Sequence, residues 1–286
     1  MKSLCQHILI VFFLLDGFCS CNDGLSLSDK NELIVEGWID AGDFPVVIVS
    51  QSLPVRLKDD AVPLDQIPDY VVVWAKVTVS DNDTTVALTG RRDDNYVPGY
   101  IYTTGGLRGQ AGKTYILTVE YGGRVAKSVT TIPSYPPDVD SVVCHELPDD
   151  PENCEITAYV KNNPDRKEYF KSFYAVGPDE RQYLSSFLGI VDDALTDTVF
   201  SMPIIRGVSD MFINERNRFF PMDTVAKIKI ATIDSVSYEI WKSYEDNARF
   251  GSSFMSSSIR DIPTNIIGGN GYWCGYNSFY WNRLNH

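Results

Sequence analysis

The side chains able to do chemistry are few, and their spacing suits none of the common reactions. Three histidines occur, His7, His145 and His286, the first and last close to the ends of the sequence. A Ser-His-Asp or Cys-His centre needs an imidazole held in one tautomer by a third group. His145 follows Cys144 in a turn-rich stretch and reads as a surface loop residue. The sequence contains no Gly-Lys-Ser/Thr phosphate loop, no His-Glu-x-x-His helix and no Gly-x-Ser-x-Gly elbow. Asp81-Asn82-Asp83 begins like a calcium loop but lacks the central glycine and the later acidic ligand, so it reads as a turn. The doublets Asp59-Asp60, Asp93-Asp94, Asp149-Asp150 and Asp192-Asp193 could serve a glycosidase only if folding set two carboxylates at the right separation. Adjacent acids in loops are more often solvated charge. The expectation is a non-enzymatic protein with no metal and no cofactor.

The cysteines say more about location. Lys2 precedes an apolar run from Ile8 to Leu15, which is too short to span a bilayer, and Ser20 stands directly before Cys21. Residues 1–20 therefore read as a secretory signal peptide. A small residue before a cysteine at the end of such a run is the pattern that bacterial lipoproteins use. Cys21 is the expected lipidation site; Cys19 is a poorer one, because Asp16, Gly17 and Phe18 would then precede the cut. The alternative is an ordinary secreted protein with cysteines there by chance. Acyl chains contribute ~0.8 kcal/mol per buried CH2, enough for durable membrane anchoring by several chains. Residues 21–31, rich in Ser, Gly and Asp, read as a flexible tether. An exported protein keeps disulfides. Cys144 and Cys154 bracket Pro148-Asp149-Asp150-Pro151, a loop short enough to bring them within bonding distance, which leaves Cys274 as a buried thiol. Three cysteines with only His145 nearby match no zinc ligand pattern.

Positioning these groups falls to strands. Hydrophobic residues make up 44% of the chain and aromatics 12%, a composition for a packed core rather than disorder. Twenty-five basic against 38 acidic residues give a net charge of -13, which opposes nucleic-acid binding and attachment to anionic lipid by charge alone. From 32 to 133 the hydrophobic period is two. In 70–80, Val71, Val73, Ala75, Val77 and Val79 share one face. Tyr115, Leu117, Val119 and Tyr121 do the same in 114–121, and Gly122-Gly123 then turns the chain into 125–132. With 33–38, 46–50 and 84–88 this makes about seven short strands, an immunoglobulin-like or transthyretin-like β-sandwich. Ser134-Tyr135-Pro136-Pro137 marks a boundary, since neither proline can donate to a ladder. Residues 138–286 read as a second β-rich module with one main helix. Strands are expected near 138–143, 154–161 and 168–176. An irregular lid or loop is expected over 183–197. In 225–232, Ala226, Ile228 and Ile230 face in while Lys227 and Lys229 face out. A helix follows near 235–250, capped by Asp234 or Ser235 and burying Val236, Ile240 and Tyr244. Gly268, Gly269 and Gly271 suit tight turns or bulges. In the tail, Tyr272, Trp273, Tyr276 and Trp281 read first as core, and otherwise as ligand or partner contacts.

The strand motifs carry a resemblance. Glu32-Leu33-Ile34-Val35-Glu36-Gly37-Trp38-Ile39, Val73-Trp74-Ala75-Lys76-Val77-Thr78-Val79-Ser80-Asp81, Tyr102-Thr103-Thr104, Gly112-Lys113-Thr114-Tyr115-Ile116-Leu117-Thr118-Val119, Thr130-Thr131-Ile132-Pro133 and Asn265-Ile266-Ile267-Gly268-Gly269 resemble the domain-of-unknown-function 4249 family of Bacteroidota lipoproteins. The similarity covers most of the chain beyond the leader; the Asn-Ile-Ile-Gly-Gly segment departs from the longer Gly-Phe-rich ending of the family. The resemblance implies no catalytic residues. It implies an outer-membrane lipoprotein, at the cell surface first and on the periplasmic face as the alternative, encoded beside TonB-dependent receptors. An accessory to such a receptor in nutrient uptake, capturing ligand or capping the receptor, is the expected function. A structural or adhesive surface protein binding glycans or host and matrix molecules is the alternative. Thr84, Ser141, Thr198, Thr224 and Ser235 each follow Asp in the Asp-Ser/Thr pattern that exported proteins of that lineage use for O-glycosylation. The same pattern is what a turn entering a strand looks like.

Overall fold

In the computed structural model, residues 32–52, 69–192, 198–206, 218–250 and 262–283 are described. Cys21, the leader, the tether and Asp59-Asp60 lie outside the described residues. The strands are β1 (Leu33–Asp40), β2 (Val46–Gln51), β3 (Lys76–Ser80), β4 (Thr85–Arg92), β5 (Tyr100–Thr103), β6 (Thr114–Tyr121), β7 (Arg124–Thr131), β8 (Val139–Leu147) and β9 (Asp150–Lys161). They continue as β10 (Tyr169–Val176), β11 (Leu184–Val191), β12 (Val199–Ile204), β13 (Phe220–Pro221), β14 (Ala226–Ile233) and β15 (Asn270–Arg283), with one helix, α1 (Ser235–Phe250), between the last two. The fold is mainly β with a single main helix, as its alternating sequence implies.

One sheet runs through both halves. Its eleven strands lie in the order β11-β10-β14-β15-β1-β2-β5-β4-β3-β6-β7. The loop at 134–137 therefore interrupts the chain but not the sheet. The join is β15, which pairs antiparallel with β14 and parallel with β1, setting Glu36 beside Tyr272 and Asp40 beside Tyr276. Gly271 makes that approach possible. It sits at φ +106°, and a Cβ there would run into the Val35 carbonyl oxygen. Across the pair, a Cβ on Gly37 would meet Trp273 Cε3 at 2.8 Å.

Two sheet layers bury the two largest cores. The long sheet folds over, so that Val77, Leu117, Val119 and Ala126 pack against Leu33, Val35, Val47 and Trp273. A four-stranded sheet, with β9 at its centre, lays Cys154, Ile156, Ala158 and Val160 on Phe170, Tyr174, Ile228 and Ile230. Cys144 and Cys154 form a disulfide across the β8–β9 hairpin, and His145 on β8 is exposed. Cys274 is a buried free thiol.

The sequence pattern misleads at several places. In 70–80 only Lys76–Ser80 is a strand; upstream of it Val72 rather than Val73 is buried, and Trp74 is 86% exposed. Residues 184–191 form β11, an edge strand of mixed exposure, where a loop was expected. Lys229 does not face out: β14 is covered on both faces and Lys229 is 4% exposed. On α1, Asp234 Oδ1 accepts the Ser237 N–H at 2.7 Å, the cap that starts the helix. Val236, however, is 50% exposed; Ile240 is buried and Tyr244 half-buried, and the buried side of the helix also takes in Ser237, Tyr238, Trp241 and Glu245.

Candidate functional site

The period of two in four neighbouring strands builds the site. Trp38 and Asp40 of β1, Tyr272, Tyr276 and Tyr280 of β15, Lys229 of β14 and Phe173 of β10 project from the same face of the long sheet. The register places Lys229 between Phe173 and Tyr280, one on each side. Helix α1 roofs part of this face through Trp241, whose indole N–H donates to the Tyr276 hydroxyl at 3.1 Å. Beyond the helix the face is left open, and loops close round it. Asp43 and Phe44 come from the β1–β2 turn, Tyr96 from the β4–β5 loop, and Arg181, Gln182 and Tyr183 from the approach to β11. Gln182 Oε1 accepts the Val97 N–H at 3.0 Å, tying rim loops from the two halves of the chain together. They enclose a cavity of about 290 Å³ whose wall is mostly aromatic. Both halves of the sequence contribute to it.

Its polar centre is a buried ion pair. Lys229 Nζ lies 2.5 Å from Asp40 Oδ2, with Asp40 3% exposed. The same oxygen accepts the hydroxyls of Tyr280 at 2.9 Å and Ser278 at 3.0 Å. Asp40 Oδ1 is buried and has no hydrogen-bond partner among the described residues. The ammonium sits 4.4 Å from the Tyr276 ring centroid and 5.2 Å from that of Phe173, so aromatic faces complete its surroundings. Burial, with the Asp40 charge second, pushes the Tyr280 and Tyr183 phenols up. Burial likewise holds Tyr272 and Tyr276 well above the usual phenol range. These hydroxyls stay protonated donors at neutral pH. Beneath α1, burial pushes the Cys274 thiol up to about 12, which removes it as a thiolate nucleophile.

Of the four tail aromatics singled out as contacts, the structure brings two together. Tyr272 and Tyr276 line the cavity. Trp273 points to the opposite face, fully buried, its N–H donating to Tyr115 O at 3.1 Å, and Trp281 packs half-buried against the second core. Thr84, Thr198 and Ser235 are exposed, Ser141 and Thr224 half-buried, and none lines this cavity. Sequence reasoning missed Asp40, Lys229, Phe173, Trp241 and the rim aromatics. A carboxylate and a lysine inside otherwise apolar strands were the available signal, because a buried charge must find a partner. Among the described residues no cluster of three or more His, Cys, Asp or Glu could hold a metal ion, and no helix is long and apolar enough to cross a membrane.

A model of a domain of unknown function, DUF4249, matches residues 23–279. The chain belongs to the DUF4249 family. No curated protein matches it. Among solved structures, it is similar to the crystal structure of a DUF4785 family protein from Legionella pneumophila, at 10% identity and a TM-score of 0.23. That match covers 70% of this chain and 52% of the other, so the DUF4249 chain spans about half its length. So low a score carries no structural argument.

Proposed function

We propose that this DUF4249 protein is a lipid-anchored, non-enzymatic outer-membrane protein that captures a small ligand as an accessory to a TonB-dependent uptake receptor. One observation carries the capture: an aromatic-walled cavity of about 290 Å³ with an incompletely bonded carboxylate in its wall. Concave, largely apolar sites with a few converging polar groups are where small molecules bind, typically at ~300–1,000 Å³. The membrane side of the reading rests on Ser20-Cys21 after the apolar leader, and the receptor on the family resemblance. Its surroundings suit binding better than reaction, for Lys229 is held in an ion pair and the buried thiol stays protonated.

The test is purification of the native chain from membranes in detergent. Native mass spectrometry is expected to find a bound small molecule, the receptor is expected to co-purify, and Cys21→Ser is expected to release the chain from the membrane. An empty chain without a receptor would overturn the proposal. The adhesive alternative has one observation in its favour, the exposed Trp74 beside Glu120 and Arg124. Glycan binding lost in Trp74→Ala, with no receptor recovered, would favour it.

A further inference from the structure

Resting on the anchor read at Cys21, the fold shows which of its ends meets the bilayer. Residues 22–31 separate that cysteine from Glu32, just before β1, a reach of at most about 35–40 Å. The start of β1 is therefore the part of the fold nearest the anchor along the chain. Other segments converge on it. A Cβ on Gly269 would stand 2.6 Å from the Leu33 carbonyl oxygen, and one on Gly268 would run into that of Val125. Ile267 pairs with Lys127 in the same approach. Val125 follows the Gly122-Gly123 turn, and Trp74 shares a shallow surface depression with both.

This end is apolar and exposed. Trp74 is 86% exposed, Ile267 79%, Val125 48% and Val73 36%. The indole is held outward by its backbone: the Val72 and Val73 carbonyls accept the Tyr102 and Tyr100 hydroxyls at 2.7 and 2.9 Å. The Ala75 N–H donates to the Tyr102 hydroxyl at 2.9 Å, fixing the other side. Hydrophobic side chains exposed singly are ordinary, whereas a cluster of them at one end marks an interaction surface. Arg124 and Lys127 flank it, neither in an ion pair among the described residues, and such cations suit lipid phosphates.

We propose that this end is a membrane foot: Trp74, Ile267 and Val125 seat in the headgroup region of the bilayer that holds the anchor, with Arg124 and Lys127 against its phosphates. An indole settles at that depth because its rings are apolar and its N–H is polar. The foot is too small to hold the chain alone, so Cys21→Ser still releases it. Once tethered, a weak contact works at the millimolar effective concentration of a short flexible linker. The Asp40 end of β1, where the cavity lies, then stands up to about 25 Å further from the bilayer, by the rise of an eight-residue strand.

The test places the lipidated full chain in vesicles of three parts phosphatidylethanolamine to one part phosphatidylglycerol, with a nitroxide at Val125→Cys, Ile267→Cys or Val236→Cys. The label reaches only the introduced cysteine, because Cys274 is buried and Cys144 is bonded to Cys154. Val236 is the control: it is 50% exposed and follows β14, whose Thr232 pairs with Asn277 at the Asp40 end of the sheet. Oxygen, which concentrates in lipid, is expected to relax the two foot labels several-fold more than a water-soluble nickel chelate does, with the order reversed at Val236. Trp74→Ala with Ile267→Ser, made in the Val125→Cys chain and checked by circular dichroism, should abolish that preference. If the double variant does not fold, the three label positions decide. Foot labels as wet as the control overturn the proposal, as does a preference that the folded double variant leaves intact, or glycan binding through Trp74 with no lipid contact. An unacylated Cys21 in mass spectrometry overturns the anchor instead, and the foot with it.

Discussion

Two buried lysines stand on one face of the sheet, either side of Phe173, and the fold treats them differently. Lys171 Nζ is 5.8 Å from the Phe173 centroid and Lys229 Nζ 5.2 Å. Lys171 is fully closed in: it donates to Ser186 O at 2.8 Å and to Glu245 Oε1 at 2.7 Å, under α1. Lys229 has Asp40, a residue of the cavity wall whose second oxygen is buried without a hydrogen-bond partner among the described residues. The source of the partner makes the difference, since helix α1 supplies Glu245 to Lys171 while strand β1 supplies Asp40 to Lys229. A charged pair whose bonding is finished inside the protein holds an element in register; one left unfinished carries the cost of an unmet acceptor.

The largest effect is expected where the shell is complete. Glu245→Ala leaves Lys171 as an uncompensated buried charge and should cost about 3–5 kcal/mol, read as a lower urea midpoint. Replacing the pair together, Lys171→Met with Glu245→Leu, should restore stability to within about 1 kcal/mol of the parent or exceed it. A single variant as stable as the parent would erase the contrast. Next, Asp40→Asn should cost less, about 1–3 kcal/mol, because the cavity lets water reach the Lys229 ammonium. Equal losses at the two sites in denaturant titrations would mean that the cavity gives no such relief.

Two pH profiles sharpen the comparison further. Burial, opposed by Glu245, lowers the Lys171 pKa from its ordinary 10.5. The folded chain then gives up this proton before the unfolded chain does, so the unfolded state binds more protons between the two values. Stability contributed by this group rises with pH across that window. The difference between parent and Lys171→Met isolates it from the tyrosines, whose raised values make stability fall above pH 10. A flat difference would place the lysine in a wetter setting. The smallest effect concerns Glu36, on the same face of β1, whose carboxyl burial pushes above 4.5. Its folded form keeps the proton longer, so its contribution falls as pH rises from 4.5 through the folded value, and Glu36→Gln should lack that fall.

The strands whose neighbours are local were legible. The turn at Gly122-Gly123, both at positive φ, and the Asp234 cap are set by backbone chemistry within a few residues. Those set by distant partners were not. Lys229 looked solvent-facing because a period of two assumes one wet face, and β14 has none. Val236 looked buried because a spacing of four also fits the stripe one residue on. The pairing of β15 with β1, which brings Asp40 to Tyr276, joins residues more than 200 positions apart and leaves no local mark. The cavity depends on that pairing, so only two of its aromatics could be named in advance.

Because β15 lies between β14 and β1, an interior strand of the long sheet is the last of its described strands to be translated. A chain stopped before residue 270 would present two long unsatisfied edges where the seam should be, an invitation to pair with other chains. Closing that seam needs contacts of very large sequence separation, which slows folding. The cavity, whose wall includes Tyr272, Tyr276 and Tyr280, takes shape only once β15 has slotted into that gap.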